Sequence, residues 1–433
     1  MSIAVIGAGL AGCECAWQLA KHGTRCTLFE MKPKRFSPAH QQEGLAELVC
    51  SNSFRSEDEH CAIGLLKLEM QELGSLIMQT TYECRVPAGR ALAVNREQFC
   101  ARITEKITAL PNITLRRQEI KSLFAPELAK FDRVVLAAGP LVTDELAAEL
   151  RELAGFEHLY FYDAIAPIVV TDSIDMSVAY WGERYQPDGK DYLNCPMREE
   201  EYLAFIKALR EAEYVAPRAF ENEIHFEGCL PIEAMAERGD MTLAFGPLKP
   251  VGLPDPRTGK DPFAVVQLRA EKQDKSTLNM VGFQTKLKYG EQERIFRMIP
   301  GLRNAQFERL GSIHRNTFLN APQALSASLE MKNRPGLHLA GQITGVEGYL
   351  ESAACGLWLG LHLAGKIKNF PPPQTALGAL LAHLQTPTDR FQPANVIFGL
   401  MPPLAQKVRK RERKKLYARR ARTVWQQWLE ELP

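Results

Sequence analysis

The sequence predicts an α/β protein: a Rossmann-like dinucleotide-binding domain with a smaller α+β domain inserted into it. Three observations carry this reading. A glycine-rich turn joins a short apolar strand to a small-residue helix at the start of the chain. From about residue 156 the α/β alternation gives way to short strands, glycines and many prolines. Strand, glycine turn and helix then return at 336–366, so the first domain is completed late. The expected borders are 1–155 and 306–370 for the two parts of the nucleotide-binding domain, 156–305 for the insert, and 371–433 for a C-terminal segment.

Taken in order, residues 2–7 are β-branched, apolar and ended by glycine, which predicts a buried strand. Residues 10–22 are rich in Ala, Leu and Gln and predict a helix, and 25–30 predict a second strand. Strand, helix and strand within 30 residues make a βαβ unit, with parallel strands and a right-handed crossover. Helices are expected over 63–73, 97–109 and 144–154, and strands over 113–119 and 132–138. Pro371-Pro372-Pro373 is a stiff spacer, and a basic, helix-compatible run closes the chain.

Composition excludes several classes. The 433 residues suffice for two or three domains at roughly 150 residues each. Hydrophobic residues are 45% and charged residues 24%, as in a globular protein. No apolar run approaches the roughly 18 to 20 residues of a membrane span. The N-terminus has no basic region before its apolar residues, which argues against a signal peptide. The ten cysteines include no Cys-x-x-Cys pair and match no zinc spacing, so reduced thiols, a cytoplasmic location and no metal are expected. The net charge of +2 conceals an asymmetry. Lys407 to Arg422 holds ten basic residues and one acid; without them the 53 basic and 51 acidic residues become 43 and 50. An acidic body with a basic tail points to an anionic partner. The tail combines charge for phosphates with Trp425 and Trp428 for stacking, which suits RNA or another polyanion.

Gly7-Ala8-Gly9-Leu10-Ala11-Gly12 reads G-x-G-x-x-G between strand and helix. Gly7 makes the tight turn, Gly9 admits a pyrophosphate and Gly12 lets helix and strand pack closely. The helix N-terminus attracts phosphate, and Glu30, ending the second strand, accepts from ribose hydroxyls. Two features favour FAD over NAD. Residues 134–140 form a strand ending in a small-residue turn at Gly139. Residues 336–356, with Gly341, Gln342 and Tyr349, form a late strand, glycine turn and helix start that suit a long cofactor with a flavin at its far end.

Two cysteines stand apart. Cys50, in Glu47-Leu-Val-Cys-Ser-Asn-Ser-Phe-Arg55, and Cys229, in His225-Phe-Glu-Gly-Cys-Leu-Pro-Ile-Glu233, sit at element ends among polar residues, glycine and proline. Such settings expose a thiol and shift its acidity. Cys195 has a similar but weaker setting. Cys13, Cys15, Cys26, Cys61, Cys84, Cys100 and Cys355 read as small buried hydrophobes.

With these segments, and with Asn194–Met197, Phe245–Gly252, Val281–Thr285, His314–Thr317, Gly341–Glu351 and Phe398–Pro403, the chain resembles the TrmFO family from end to end. Its late Ala-Gly-Gln segment is also similar to a larger flavoenzyme that modifies tRNA wobble uridines. The TrmFO resemblance implies that 5,10-methylenetetrahydrofolate donates a carbon to uridine 54 in the T-loop of tRNA. Reduced FAD would supply the electrons, with NADH or NADPH reducing the flavin. It further implies that a thiolate adds to carbon 6 of uracil, making carbon 5 nucleophilic, and that a base then removes the carbon 5 proton. Carried over by motif, Cys229 is the nucleophile and Cys50 the base. Tyr349 borders flavin or folate, and His314, Arg315 and Asn316 contact folate or RNA. Lys410, Arg413 and Lys414 face tRNA phosphates. Many relatives have His and Trp where this chain has Lys286 and Tyr289, so a histidine stacked on folate is not available here. The residues alone leave open the same chemistry on ribosomal RNA, an ordinary flavin oxidoreductase, or a non-catalytic RNA-binding flavoprotein.

Overall fold

A computed structural model of the chain describes residues 1–155, 159–184, 186, 189–215, 230–388, 391–406 and 408–432. The expected βαβ unit opens it: β1 (Ser2–Ile6), α1 (Leu10–Lys21) and β2 (Arg25–Glu30), the strands paired in parallel. Next come β3 (Ser53–Ser56), α2 (Ala62–Glu72), α3 (Leu76–Glu83), β4 (Arg85–Val86) and β5 (Ala91–Val94), whose strands make a small antiparallel sheet with β5 central. α4 (Arg96–Thr108), β6 (Ile113–Arg117), β7 (Arg133–Leu136) and α5 (Asp144–Ala154) follow. Caps set these ends. Asn95 accepts from the Gln98 N–H at 3.1 Å, and Gly155 closes α5 at φ 74°. α3 is absent from the sequence reading; Ser75 caps it locally, accepting from the Met78 N–H at 3.1 Å, and a distant residue completes its start. Buried Glu14 of α1 accepts from Ser75 Oγ at 2.7 Å and from the Leu76 and Ile77 N–H groups at 3.1 and 2.9 Å, placing a carboxylate at the helix N-terminus.

β8 (Leu159–Ile165) leads into the inserted domain. This comprises β9 (Ile168–Val170), β10 (Tyr180–Gly182), β11 (Tyr192–Met197), α6 (Glu199–Arg210), α7 (Ile232–Glu237), α8 (Thr242–Phe245), β12 (Ala264–Ala270), β13 (Thr277–Met280), α9 (Tyr289–Phe296) and β14 (Phe307–Arg309). Its six strands run β10-β11-β12-β13-β9-β14, antiparallel throughout. Side chains alternate between the faces. Leu193, Cys195, Val266, Leu268, Leu278 and Met280 form an apolar core with Tyr202, Phe205, Phe283 and Phe296. The opposite face buries Asn194, Gln267, Arg269, Thr277 and Asn279.

β15 (Ser312–Phe318) returns antiparallel to β8, from Ser312 opposite Ile165 to Phe318 opposite Leu159. After α10 (Ala321–Ala324), β16 (Leu337–Leu339) completes a parallel sheet ordered β16-β7-β1-β2-β6. α11 (Tyr349–Leu363) packs on α1 with almost no space between backbones. A Cβ on Gly356 would lie 2.1 Å from the Ala11 carbonyl oxygen, and one on Gly360 would lie 2.7 Å from that of Cys15.

α12 (Ala376–His383) and α13 (Lys410–Glu430) end the chain. α13 is not charged all round. Tyr417, Ala418, Ala421, Trp425 and Trp428 are buried, and Glu72 of α2 takes the Trp425 indole N–H and pairs with Arg422. Both tryptophans therefore belong to the core, which corrects the expectation that they stack on RNA: docking the helix buries more apolar area than leaving them in water. Arg420 donates to the Pro402 and Pro403 carbonyls, so the Phe398–Pro403 motif braces this helix. No described helix is long and apolar enough to cross a membrane. Gly356→Val is expected to cost about 1–3 kcal/mol of stability, because the new side chain must force α11 off α1. An unchanged urea midpoint would refute this account of the contact.

Candidate active site

The glycine loop builds the first of two adjoining chambers. Gly7 has φ 96°, and a Cβ there would stand 2.5 Å from the Ala137 carbonyl oxygen. Gly12 lies against Gly7 and supports the turn from behind, where a Cβ would meet the Gly7 carbonyl oxygen at 1.8 Å. Around Gly9 there is no heavy atom within 4 Å of a Cβ position, so backbone faces open space. Gly7, Ala8, Gly9, Leu10, Ala11, Glu30, Gly139, Gly341, Gln342 and Tyr349 all line this chamber. The Glu30 carboxylate accepts from the Ala8 N–H at 3.0 Å and the Lys32 N–H at 2.9 Å, which aims it along the loop with lone pairs to spare. The first-turn N–H groups of α1 lack intrahelical acceptors. An open cradle at Gly9, helix N–H groups for phosphate and a carboxylate for ribose fit the adenosine and pyrophosphate of FAD.

The second chamber shares Val49, Pro140, Leu141, Gln342 and Tyr349 with the first. Cys50, Arg55, Asp163, Arg269, Asn279, His314, Asn316 and Glu347 line the rest. Tyr349, the first residue of α11, accepts from the Cys50 and Ser51 N–H groups at 2.7 and 3.1 Å. Burial raises its hydroxyl pKa, so the phenol stays protonated. Among the described residues the Cys50 thiol makes one long contact, 3.6 Å to the Ala164 carbonyl oxygen. His314 meets Ser312 Oγ at 3.0 Å; burial, with Arg309 and His40 adding, pushes its pKa down to about 4. Glu347 accepts from Gln342 at 2.6 Å, and burial beside the Asp163 carboxylate raises its pKa well above the usual range. Asn279 Nδ2 is buried and has no hydrogen-bond partner among the described residues, leaving a donor for a bound ring.

The remaining candidates divide. Cys229 lies outside the described residues. Arg315 sits in β15 opposite Tyr162, and its side chain also lies outside the description. Lys286 is directed to the Tyr214 ring, 4.9 Å from its centroid, and Tyr289 is exposed at the start of α9. Cys195 is in the inserted core, where burial pushes its thiol up to about 12 and leaves it inert. Arg413 and Lys414 are exposed on α13; Lys410 starts that helix, its side chain undescribed. Sequence reasoning missed Asp163, Arg269, Asn279 and Glu347 as chamber residues. The signal for Arg269 was a buried polar alternation in Ala-Val-Val-Gln-Leu-Arg-Ala.

The fold and its paired chambers define a flavoprotein with a Rossmann-type FAD-binding domain. A family model described as Glucose inhibited division protein A matches residues 2–371. The "Methylenetetrahydrofolate--tRNA-(uracil-5-)-methyltransferase TrmFO" of Oleidesulfovibrio alaskensis is 59% identical over 436 residues, spanning 100% of this chain and 98% of that one. The proteins of the same name from Geobacter sulfurreducens and Aquifex aeolicus are 54% and 52% identical, over 99% of this chain and 99% and 96% of theirs. Aquifex aeolicus GidA, in its form II crystal, shares the fold with TM-score 0.67 at 16% identity, covering 98% of this chain and 73% of that one. The chain belongs to the TrmFO family, within the wider Glucose inhibited division protein A family.

The folded protein keeps His314 neutral down to about pH 4, whereas the unfolded chain protonates it near 6.5. The unfolded state thus binds more protons between those values, and stability falls as pH drops from 6.5 towards 4. His314→Gln should flatten that fall in denaturation midpoints measured at pH 7, 6 and 5. An identical fall in the variant would exclude His314 as its source.

Proposed function

We propose that the chain methylates carbon 5 of uridine 54 in the T-loop of tRNA, with 5,10-methylenetetrahydrofolate as carbon donor and NADH or NADPH as the source of reducing power, in the cytoplasm. The observation that carries this reading is that Cys50 lines the second chamber next to Val49, which both chambers share, on the segment held by Tyr349. FAD bound in the first chamber supplies the two-electron reduction that turns a methylene into a methyl group.

The chain's own residues do the rest. The Gly7–Gly12 loop and α1 hold pyrophosphate, and Glu30 holds ribose. Gly341 and Gln342 would line the flavin end, where the N-terminus of α11 borders the chamber. The target base leaves its stack to enter the second chamber, at a cost of a few kcal/mol. Cys229 adds as thiolate to carbon 6, and carbon 5 then bonds to the donated methylene. Cys50 takes the carbon 5 proton as the bond between the methylene and the tetrahydrofolate nitrogen breaks, and once the methylene has been reduced to methyl the carbon 6–sulfur bond breaks and returns the Cys229 thiolate. Neutral His314 and buried Asn316, which line the second chamber, hydrogen-bond folate or the base. The exposed face of α13, through Lys410, Arg413 and Lys414, contacts tRNA phosphates.

Incubation with labelled methylenetetrahydrofolate, NADPH and unmodified tRNA should place label at the T-loop uridine; label in ribosomal RNA alone, or none in RNA, would overturn the reading. Cys229→Ala should abolish covalent trapping of 5-fluorouridine RNA. Cys50→Ala should retain flavin while kcat falls about 10²–10⁴-fold, the usual worth of a positioned base. Neutralising Lys410, Arg413 and Lys414 should weaken tRNA binding and lower its salt slope by about one per residue, with flavin content unchanged. Loss of flavin instead would make α13 a brace and not an RNA contact.

A further inference from the structure

Five consecutive residues, Leu48 to Asn52, carry Cys50 along the seam between the flavin domain and the inserted sheet. Three guanidinium groups grip them. Arg96, in the first turn of α4, donates to the Leu48 carbonyl at 3.3 Å and to Glu271 at 2.7 Å. Arg269 of β12 donates to Ser51 Oγ at 2.9 Å and to Asn52 Oδ1 at 2.9 and 3.2 Å. Arg309, the last residue of β14, donates to the Val49 carbonyl at 2.9 Å. Asn52 ties the two domains directly, donating to the carbonyls of Val94 at 3.1 Å and Ala270 at 2.9 Å.

The segment is also bracketed by strained backbone. Ala46 and Arg55, neither of them glycine, adopt φ 53° and 63°. Such conformations persist where surrounding contacts over-determine the chain, and they cluster at working sites. The thiol itself is not gripped by the described residues: among them its one contact is the long one to Ala164. Its direction is therefore inherited from the backbone on either side.

We propose that Arg309 is a positioning residue for the Cys50 thiol, acting through the Val49 carbonyl, with Arg96 and Arg269 holding the flanks of the same segment. This rests on the reading of Cys50 as the base. The three arginines are not equivalent. Glu271 engages Arg96, and Arg269 is spent on side chains of the segment. Arg309 reaches the peptide unit immediately before Cys50, and its Nε is buried without a partner among the described residues. Because β14 and β12 belong to the inserted sheet, Cys50 is placed only when that sheet is docked on the flavin domain.

The test is site-specific alkylation of the flavin-loaded protein with iodoacetamide, read by peptide mass spectrometry as the ratio of Cys50 to Cys61. Cys61 is half-buried and precedes α2, so it serves as the internal control. Arg309→Met should change that ratio by about threefold or more, as expected when a thiol's setting changes. In the same variant kcat for methyl transfer should fall about tenfold to a hundredfold, the cost of misplacing a reacting group, with KM for tRNA little changed. Arg309→Lys, which restores a donor to Val49, should recover part of both. An unchanged Cys50 to Cys61 ratio in folded, flavin-loaded Arg309→Met overturns the proposal. If that variant does not fold, Arg309→Gln, which withdraws the guanidinium from the Val49 carbonyl but keeps a polar side chain, is read in its place, and an unchanged ratio there overturns the proposal. A shifted ratio with unchanged kcat supports the placement while refuting Cys50 as the base, so the two failures are distinguishable.

Discussion

Where the inserted sheet meets the flavin domain, the surfaces in contact are polar, and each buried donor and acceptor needs a partner. Asn52 supplies two donors and one acceptor to three partners at the centre of this seam. The Arg96–Glu271 pair, both side chains buried, closes its flank. A purely apolar contact would tolerate sliding; a set of directional bonds does not, since slippage by one residue would strand several buried charges at once. The register of the two domains is thereby tied to the Leu48–Asn52 segment. The second chamber is a consequence, since its walls come from β12, β13, β8, β15 and that same segment.

The first chamber depends on a different constraint, the near-absence of side-chain volume between α1 and α11. Gly356 and Gly360 allow backbone to approach backbone. That approach places the N-terminus of a helix beginning at residue 349 beside a loop that begins at residue 7. The intervening chain, including the whole inserted domain, leaves and returns through the paired strands β8 and β15. Tyr349 then belongs to both chambers and links them: its ring borders the first, while its hydroxyl holds the Cys50 segment at the second.

Buried glutamates do comparable work elsewhere. Glu14 seats α3, and Glu69 of α2 accepts from the Ala376 and Leu377 N–H groups at 2.9 and 2.7 Å at the start of α12. Burial pushes the Glu69 carboxyl up to about 8, which partial positive charge at the helix N-terminus opposes. Glu72, one turn further on, fastens α13. One helix, α2, thus anchors both C-terminal helices, and the basic tail is held on the flavin domain with its charged face outward.

The sequence by itself determined the parallel nucleotide-binding sheet, the glycine loop and the approximate limits of several helices and strands of the nucleotide-binding domain. These depend on local rules: apolar period, capping residues and the φ values open only to glycine. It also placed Cys50 outside any regular stripe. The tertiary structure alone decided which distant residues share a wall. Asp163, Asn279, His314 and Glu347 lie on four separate stretches of chain, and no periodicity relates them. It decided, too, that Trp425 and Trp428 are core, because only docking against α2 shows which face of a charged helix is dry. Burial and long-range hydrogen bonding are properties of the assembled chain. For that reason the arginine grip on Cys50, made from residues 96, 269 and 309, could be read only from the fold.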